Sequence, residues 1–286
     1  MELGVLVALL SAFTSSLRES IRKHVSTDFS SIEIGYMTQV YGAIVLAPFA
    51  AWYFLHSQFS LTSGVIFALL VSAAGVLSTT YLYVEAMRIS EISVTEPLRQ
   101  LNPLIVALLE PLILGTKFSF TIVAAAMLGA TGSYILVAEN GYRQPLENLR
   151  NRGALIAVLV AIIFALLAVA KRFGSTNIEP LLFTYITYVI GLIGFWIWKR
   201  RSGDNISREN YMRKDVFSMG VVTAIGAVIT IYAFSMISAS EVVVIKQTSG
   251  IFGILIGRKF FKETQILRKL LGASIIILGV ALVALL

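Results

Sequence analysis

Ten apolar runs, each close to the ~20 residues a helix needs to cross a bilayer, limit what this chain can fold into. Backbone in hydrocarbon must satisfy its own N–H and C=O groups, and runs of this length do so as helices. The runs fall at Leu3–Ile21, Ile32–Leu55, Gly64–Met87, Ile92–Leu114 and Phe120–Ala138, then at Gly153–Lys171, Pro180–Trp198, Val216–Met236, Ser240–Phe260 and Leu270–Leu286. Only 14% of the 286 residues are charged, against about 25% in an ordinary soluble domain. The expected fold class is an all-α integral membrane protein of ten transmembrane helices.

Composition also narrows the chemistry. With no cysteine, disulfides, thiolate catalysis and Cys-based metal sites are excluded. The two histidines, His24 and His56, fall at helix ends or loops and read as solvated residues, so no metal or other cofactor is expected. The first apolar run has neither a basic leader nor a small-residue cleavage site, and no cleavable signal is expected.

The net charge of +7 is explained by loops and implies no nucleic-acid partner. Of the 23 Lys and Arg, eighteen fall in loops or flanking turns after odd-numbered spans. Three (Lys117, Lys171, Arg172) fall after even-numbered spans, and two (Arg99, Lys246) lie inside spans. The positive-inside bias therefore predicts a multi-pass cell-membrane protein with cytoplasmic odd-span loops and both termini outside.

Span 4 carries the unusual load: Glu96, Arg99, Gln100, Asn102 and Glu110, with prolines at Pro97, Pro103 and Pro111. An Arg near the bilayer centre costs roughly 2.5–3.5 kcal/mol on insertion scales, so this helix should face a bundle interior or a wet cavity. Five spans per half give the halves opposite polarity, the setting for an inverted repeat. The expected division is residues 1–138, a connection at 139–152, and residues 153–286. A shift of 147 residues lays Arg99-Gln100 on Lys246-Gln247, Asn102-Pro103 on Ser249-Gly250, Glu85 on Tyr232 and Gly132 on Gly279.

The stretch EPLRQLNPLIVALLEPLILGTK resembles the fourth span of EamA-type members of the drug/metabolite transporter superfamily, in the spacing of Pro97 and Pro103-Leu104. The ending FFKETQILRKLLGASIIILGVALV is similar to that family's second repeat, in Glu263, Gly272 and Gly279-Val280. Three departures accompany the resemblance: Thr116 stands where the family's loop Glu is usual, no Arg lies near Gln39, and the charge bias reverses the usual orientation. The resemblance implies a ten-helix basket, with spans 3, 4, 8 and 9 around a central cavity, acting as a secondary transporter.

Arg99 lies about seven residues into span 4, roughly 10 Å deep at 1.5 Å per residue. Lys246 lies as deep in span 9 from the other face, so a two-fold axis in the membrane plane would bring both toward the midplane. The expected site is a cationic pair, Arg99 and Lys246, for a small anionic or zwitterionic metabolite, with Gln100, Gln247, Asn102 and Ser249 as hydrogen-bonding neighbours. Glu85 and Tyr232 complete the candidate set, and Glu96 is a counter-charge or a carrier of coupling protons. The competing structural reading pairs Glu96 with Arg99 along one helix and lets Lys246 snorkel. Glu110 reads as an interfacial or packing residue.

Expected partners are the substrate, membrane lipid and a coupling proton, with the chain a monomer or homodimer. The rival functions are an efflux pump or flippase for amphipathic compounds and, less favoured, an integral membrane enzyme. No HExxH, GxSxG or Cys/His cluster supports the enzyme.

Overall fold

The computed structural model describes residues 2–26, 28–56, 59–89, 98–137, 152–202, 213–253 and 266–284. Among these it forms ten helices: α1 (Glu2–Val25), α2 (Ser31–His56), α3 (Ser63–Ile89), α4 (Asn102–Leu114), α5 (Phe120–Val137), α6 (Arg152–Asn177), α7 (Pro180–Ser202), α8 (Lys214–Met236), α9 (Ala239–Lys246) and α10 (Ile266–Ala284). Six are long and apolar enough to cross a bilayer by themselves, while α4 and α9 are shorter because their spans are interrupted. Large apolar side chains such as Leu55, Phe67, Leu112 and Phe120 point outward, 70–81% exposed. In lipid this surface needs no cover, and the protein is a multi-pass membrane protein.

The two halves pack by one rule applied twice. α3 lies along α6 as α8 lies along α1, α2 touches α8 as α7 touches α3, and α4 meets α6 as α9 meets α1. The self-related pairs α2–α7, α4–α9 and α5–α10 also touch, as an inverted five-helix repeat requires.

Hydrophobic burial cannot hold apolar helices together in lipid, so close approach through small residues does much of it. Gly132 and Gly279 show this at equivalent positions of the α5–α10 pair. A Cβ on Gly132 would lie 2.6 Å from the Gly272 carbonyl oxygen, and one on Gly279 would lie 2.8 Å from the Ala125 carbonyl oxygen. Fully buried alanines serve the same end elsewhere, as at Ala125, Ala126, Ala161 and Ala165.

His24 and His56 are exposed at the ends of α1 and α2, and His56 Nδ1 donates a hydrogen bond to the Trp52 carbonyl at 2.8 Å.

Candidate functional site

Both interrupted spans break at the same place in the repeat. In span 4 the Leu101 N–H donates to the Leu98 carbonyl at 3.2 Å, and the Leu104 N–H to the Leu101 carbonyl at 3.1 Å. In span 9, 147 residues on, the Thr248 N–H donates to the Ile245 carbonyl at 3.0 Å, and the Ile251 N–H to the Thr248 carbonyl at 2.9 Å. These tighter i→i−3 bonds turn the chain through Gln100-Leu101 and Gln247-Thr248. Pro103, which has no N–H to give, and Gly250, a weak helix former, sit just past the two breaks.

Each break opens onto one cavity of about 610 Å³ between the halves. Irregular backbone at membrane depth is tolerated where it lines such a space. Arg99, Gln100, Asn102, Lys246, Gln247 and Ser249 all line it. The first turn of α4 presents its positive end there, and Lys246 sits at the negative C-terminal end of α9, where a cation is favoured.

Other helices contribute faces at helical spacing: Thr14, Ser15, Arg18, Glu19 and Arg22 from α1, Phe164, Leu167, Ala168 and Lys171 from α6, and Thr223, Gly226, Ala227 and Thr230 from α8. The lining draws on α2, α3 and α7 as well, so eight helices build the cavity while α5 and α10 stand behind it. Spans 1, 2, 6 and 7 thus join the four that the resemblance implied.

Charge dominates the wall. Among the described lining residues are five cations (Arg18, Arg22, Arg99, Lys171, Lys246) and one carboxylate, Glu19. Glu19 is 2.6 Å from Arg18 and 4.0 Å from Arg22. The Arg99 guanidinium lies 5.3 Å from the Tyr83 ring centre and 5.9 Å from that of Phe164, within cation–π range of both. Lys246 Nζ lies 3.4 Å from Thr230 Oγ1, which shares a 2.8 Å hydrogen bond with Ser11 Oγ. Both side-chain polar atoms of Gln247, and Asn102 Oδ1, are buried without a hydrogen-bond partner among the described residues.

Toward the bundle end that carries the odd-span loops, the lining Arg18 and Glu19 side chains are 38% and 53% exposed. The opposite end is tied. The Tyr232 hydroxyl donates to Glu179 Oε1 at 2.5 Å, and Arg172 donates to the Phe234 carbonyl. The strongest tie is Glu110, only 2% exposed, whose carboxylate crosses from α4 to the start of α9. It accepts the Ala239 N–H at 2.7 Å, the Ser240 N–H at 2.8 Å and the Ser240 hydroxyl at 2.5 Å. Ser238 and Glu241 close a capping box on the neighbouring N–H groups, so the α9 N-terminus is satisfied at membrane depth.

Six of the eight substrate-binding candidates therefore share the cavity wall. Tyr232 stands at the tied end, and Glu85, half-buried on α3, is not in the lining. Glu96 and Pro97 lie outside the described residues, as do Glu263 and the 139–151 connection.

Arg18, Arg22 and Lys171, grouped in the charge count with loops and flanking turns, also line the cavity: α1 continues to Val25 and α6 to Asn177, so none of the three stands at a helix end. The sequence held a signal for α1, since Thr14, Ser15, Arg18, Glu19 and Arg22 form a polar stripe at i, i+1, i+4, i+5 and i+8. Lys171 had no such stripe, being the sole charge on an apolar face.

The EamA-like transporter family model matches residues 2–138 and again 151–285. The chain belongs to the EamA-like transporter family. An uncharacterized transporter of Archaeoglobus fulgidus is 25% identical over 204 residues, 71% of this chain and 70% of its own length. A crystal structure of another protein superposes with a TM-score of 0.76 over 99% of this chain and 96% of its own, at 15% identity, and so shares the fold alone. This EamA-like chain is accordingly a membrane transporter, and a small molecule is its cargo.

Proposed function

We propose that the transporter moves a small anionic or zwitterionic metabolite by alternating access, binding it between Arg99 and Lys246 at the two helix breaks. The observation that carries this reading is the cationic wall: five basic side chains against one carboxylate among the described lining residues. Low-dielectric walls magnify the attraction of such a site for anions and make lipophilic cations poor cargo. Gln247 and Asn102 supply polar atoms that have no hydrogen-bond partner among the described residues.

Arg18 and Arg22 leave the eighteen odd-loop residues and Lys171 leaves the three, so the bias becomes sixteen against two. With the odd-span loops in the cytoplasm, the exposure of Arg18 and Glu19 and the ties at the other end support an inward-open reading of this state. Outward opening would rock one five-helix repeat against the other and undo the ties at Glu110 and Tyr232. Arg99 and Lys246 belong to different repeats, so a substrate bridging them senses that motion.

A thermal-stabilisation screen of the detergent-solubilised protein tests the charge class. Amino acids, organic acids, sugar phosphates and lipophilic cations are compared at equal concentration. Stabilisation is expected from anionic or zwitterionic compounds, and a response to cations alone would sink the reading.

Gly129 of α5 offers a finer test, because a Cβ there would overlap the Gln247 amide. Gly129→Ala should push that flexible amide out of place with little effect on folding, lowering uptake about tenfold, the ~1.4 kcal/mol of one lost hydrogen-bonding group. If displacement of Gln247 is the cause, Gln247→Ala is as impaired and the double variant is no worse than either. Additive losses would show that Gly129 acts elsewhere.

A further inference from the structure

We infer that the cavity contains a subsite for a ligand with two negative charges, built by Lys171 of α6 and Lys246 of α9. This rests on the anion reading above and narrows it from anions in general to dianions.

The two lysines approach the cavity from different helices. Lys171 completes the inward face that runs through Phe164, Leu167 and Ala168, and Lys246 ends α9 at the helix break. Both line the same cavity as Arg18, a third charge of the same sign. Three like charges therefore share one enclosed space, where they repel one another.

The one carboxylate among the described lining residues forms no ion pair with either lysine. Glu19 lies against Arg18 and Arg22, and among the described residues neither lysine forms an ion pair. The Thr230 hydroxyl, 3.4 Å from Lys246 Nζ, is the one hydrogen-bond partner of either ammonium among those residues. A neutral hydroxyl offsets little of the several kcal/mol that desolvating an ammonium costs.

A monoanion can neutralise one lysine and leaves the second repelled by its neighbours. Two negative charges neutralise both at once, so the site should discriminate by charge number. An ammonium is a compact point charge with rotatable donors, which imposes no planar geometry on the ligand. A dicarboxylate and a phosphate group therefore both suit the pair, and charge number decides between ligands.

Isothermal titration of the full-length protein in detergent tests this with succinate and butyrate, which share a four-carbon skeleton, and with inorganic phosphate as the non-carboxylate arm. Succinate is expected to bind at least tenfold more tightly than butyrate. Lys171→Gln and Lys246→Gln should each reduce that preference below threefold, with Lys246→Gln also weakening butyrate because it removes a cation of the site for any anion, while Lys171→Arg retains the preference. Lys171→Met, which keeps the stem and drops the charge, serves where the Gln variant does not fold. Phosphate binding that depends on the same lysines marks charge as the determinant; phosphate silence beside tight succinate confines the subsite to dicarboxylates.

Equal binding of succinate and butyrate, or a full preference surviving in Lys171→Gln, would overturn the subsite and leave the anion reading standing. Silence toward all three probes would likewise overturn the subsite, while the anion reading is decided by the stabilisation screen.

Discussion

Glu110→Ala should be among the most damaging single substitutions in this protein, costing about 3–5 kcal/mol of stability. Each of the buried donors it leaves orphaned costs about 1–3 kcal/mol. The loss follows from what remains behind. The Ala239 N–H, the Ser240 N–H and the Ser240 hydroxyl all donate to this one carboxylate. In hydrocarbon no water replaces it, and orphaned N–H groups at a helix N-terminus carry the full desolvation penalty. Glu110→Gln keeps a single carbonyl but turns an NH2 toward the helix donors, so an intermediate loss is expected. Melting temperatures of the three proteins in one detergent check the order; a Gln variant as stable as wild type would show that the negative charge is idle.

The same carboxylate ties the first repeat to the second at the end of the bundle away from Arg18 and Glu19, so weakening it should also shift the conformational balance. The chain has no cysteine, and a single Thr184→Cys near the tied end can report access without background. In the Glu110→Gln background, labelling from the even-loop side is expected to quicken several-fold. Unchanged labelling would make Glu110 a structural cap with no part in gating.

How much of this was legible beforehand differs between fold and site. The ten helices and the inverted repeat follow from run length and from the 147-residue offset, because a bilayer admits few other solutions for backbone polar groups. The paired helix breaks were half legible. Pro103 marks one, whereas the break at Gln247-Thr248 has no proline and becomes evident only through its alignment with Gln100-Leu101. Burial was less legible still. Glu110 reads as an interfacial or packing residue from its place near a span end; its partners are 129 and 130 residues away, beyond any local pattern. Lys171 was lost because charged residues near a span end are ordinarily read as snorkelling to the interface, and only the packing of α6 against its neighbours turns this one inward.

Removing charge from either helix break should nearly abolish transport. Arg99→Gln and Lys246→Gln are each expected to lower the uptake efficiency of proteoliposomes about 100-fold or more, measured with the compound selected by the stabilisation screen. Truncating one member of a desolvated charge pair costs about 2–5 kcal/mol, and each 1.4 kcal/mol is a factor of ten. The two positions should respond differently to conservative change. Arg99 sits beside the rings of Tyr83 and Phe164, so Arg99→Lys keeps the charge but loses the planar fork and the stacking. It should recover only part of the activity. Lys246 acts as a point charge beside Thr230, and Lys246→Arg should fail chiefly if the wider guanidinium cannot fit at the end of α9. Purely structural roles predict another pattern: lowered melting temperature, with unaltered affinity in whatever protein still folds. Uptake that survives both Gln substitutions at wild-type affinity would place the substrate elsewhere in the cavity.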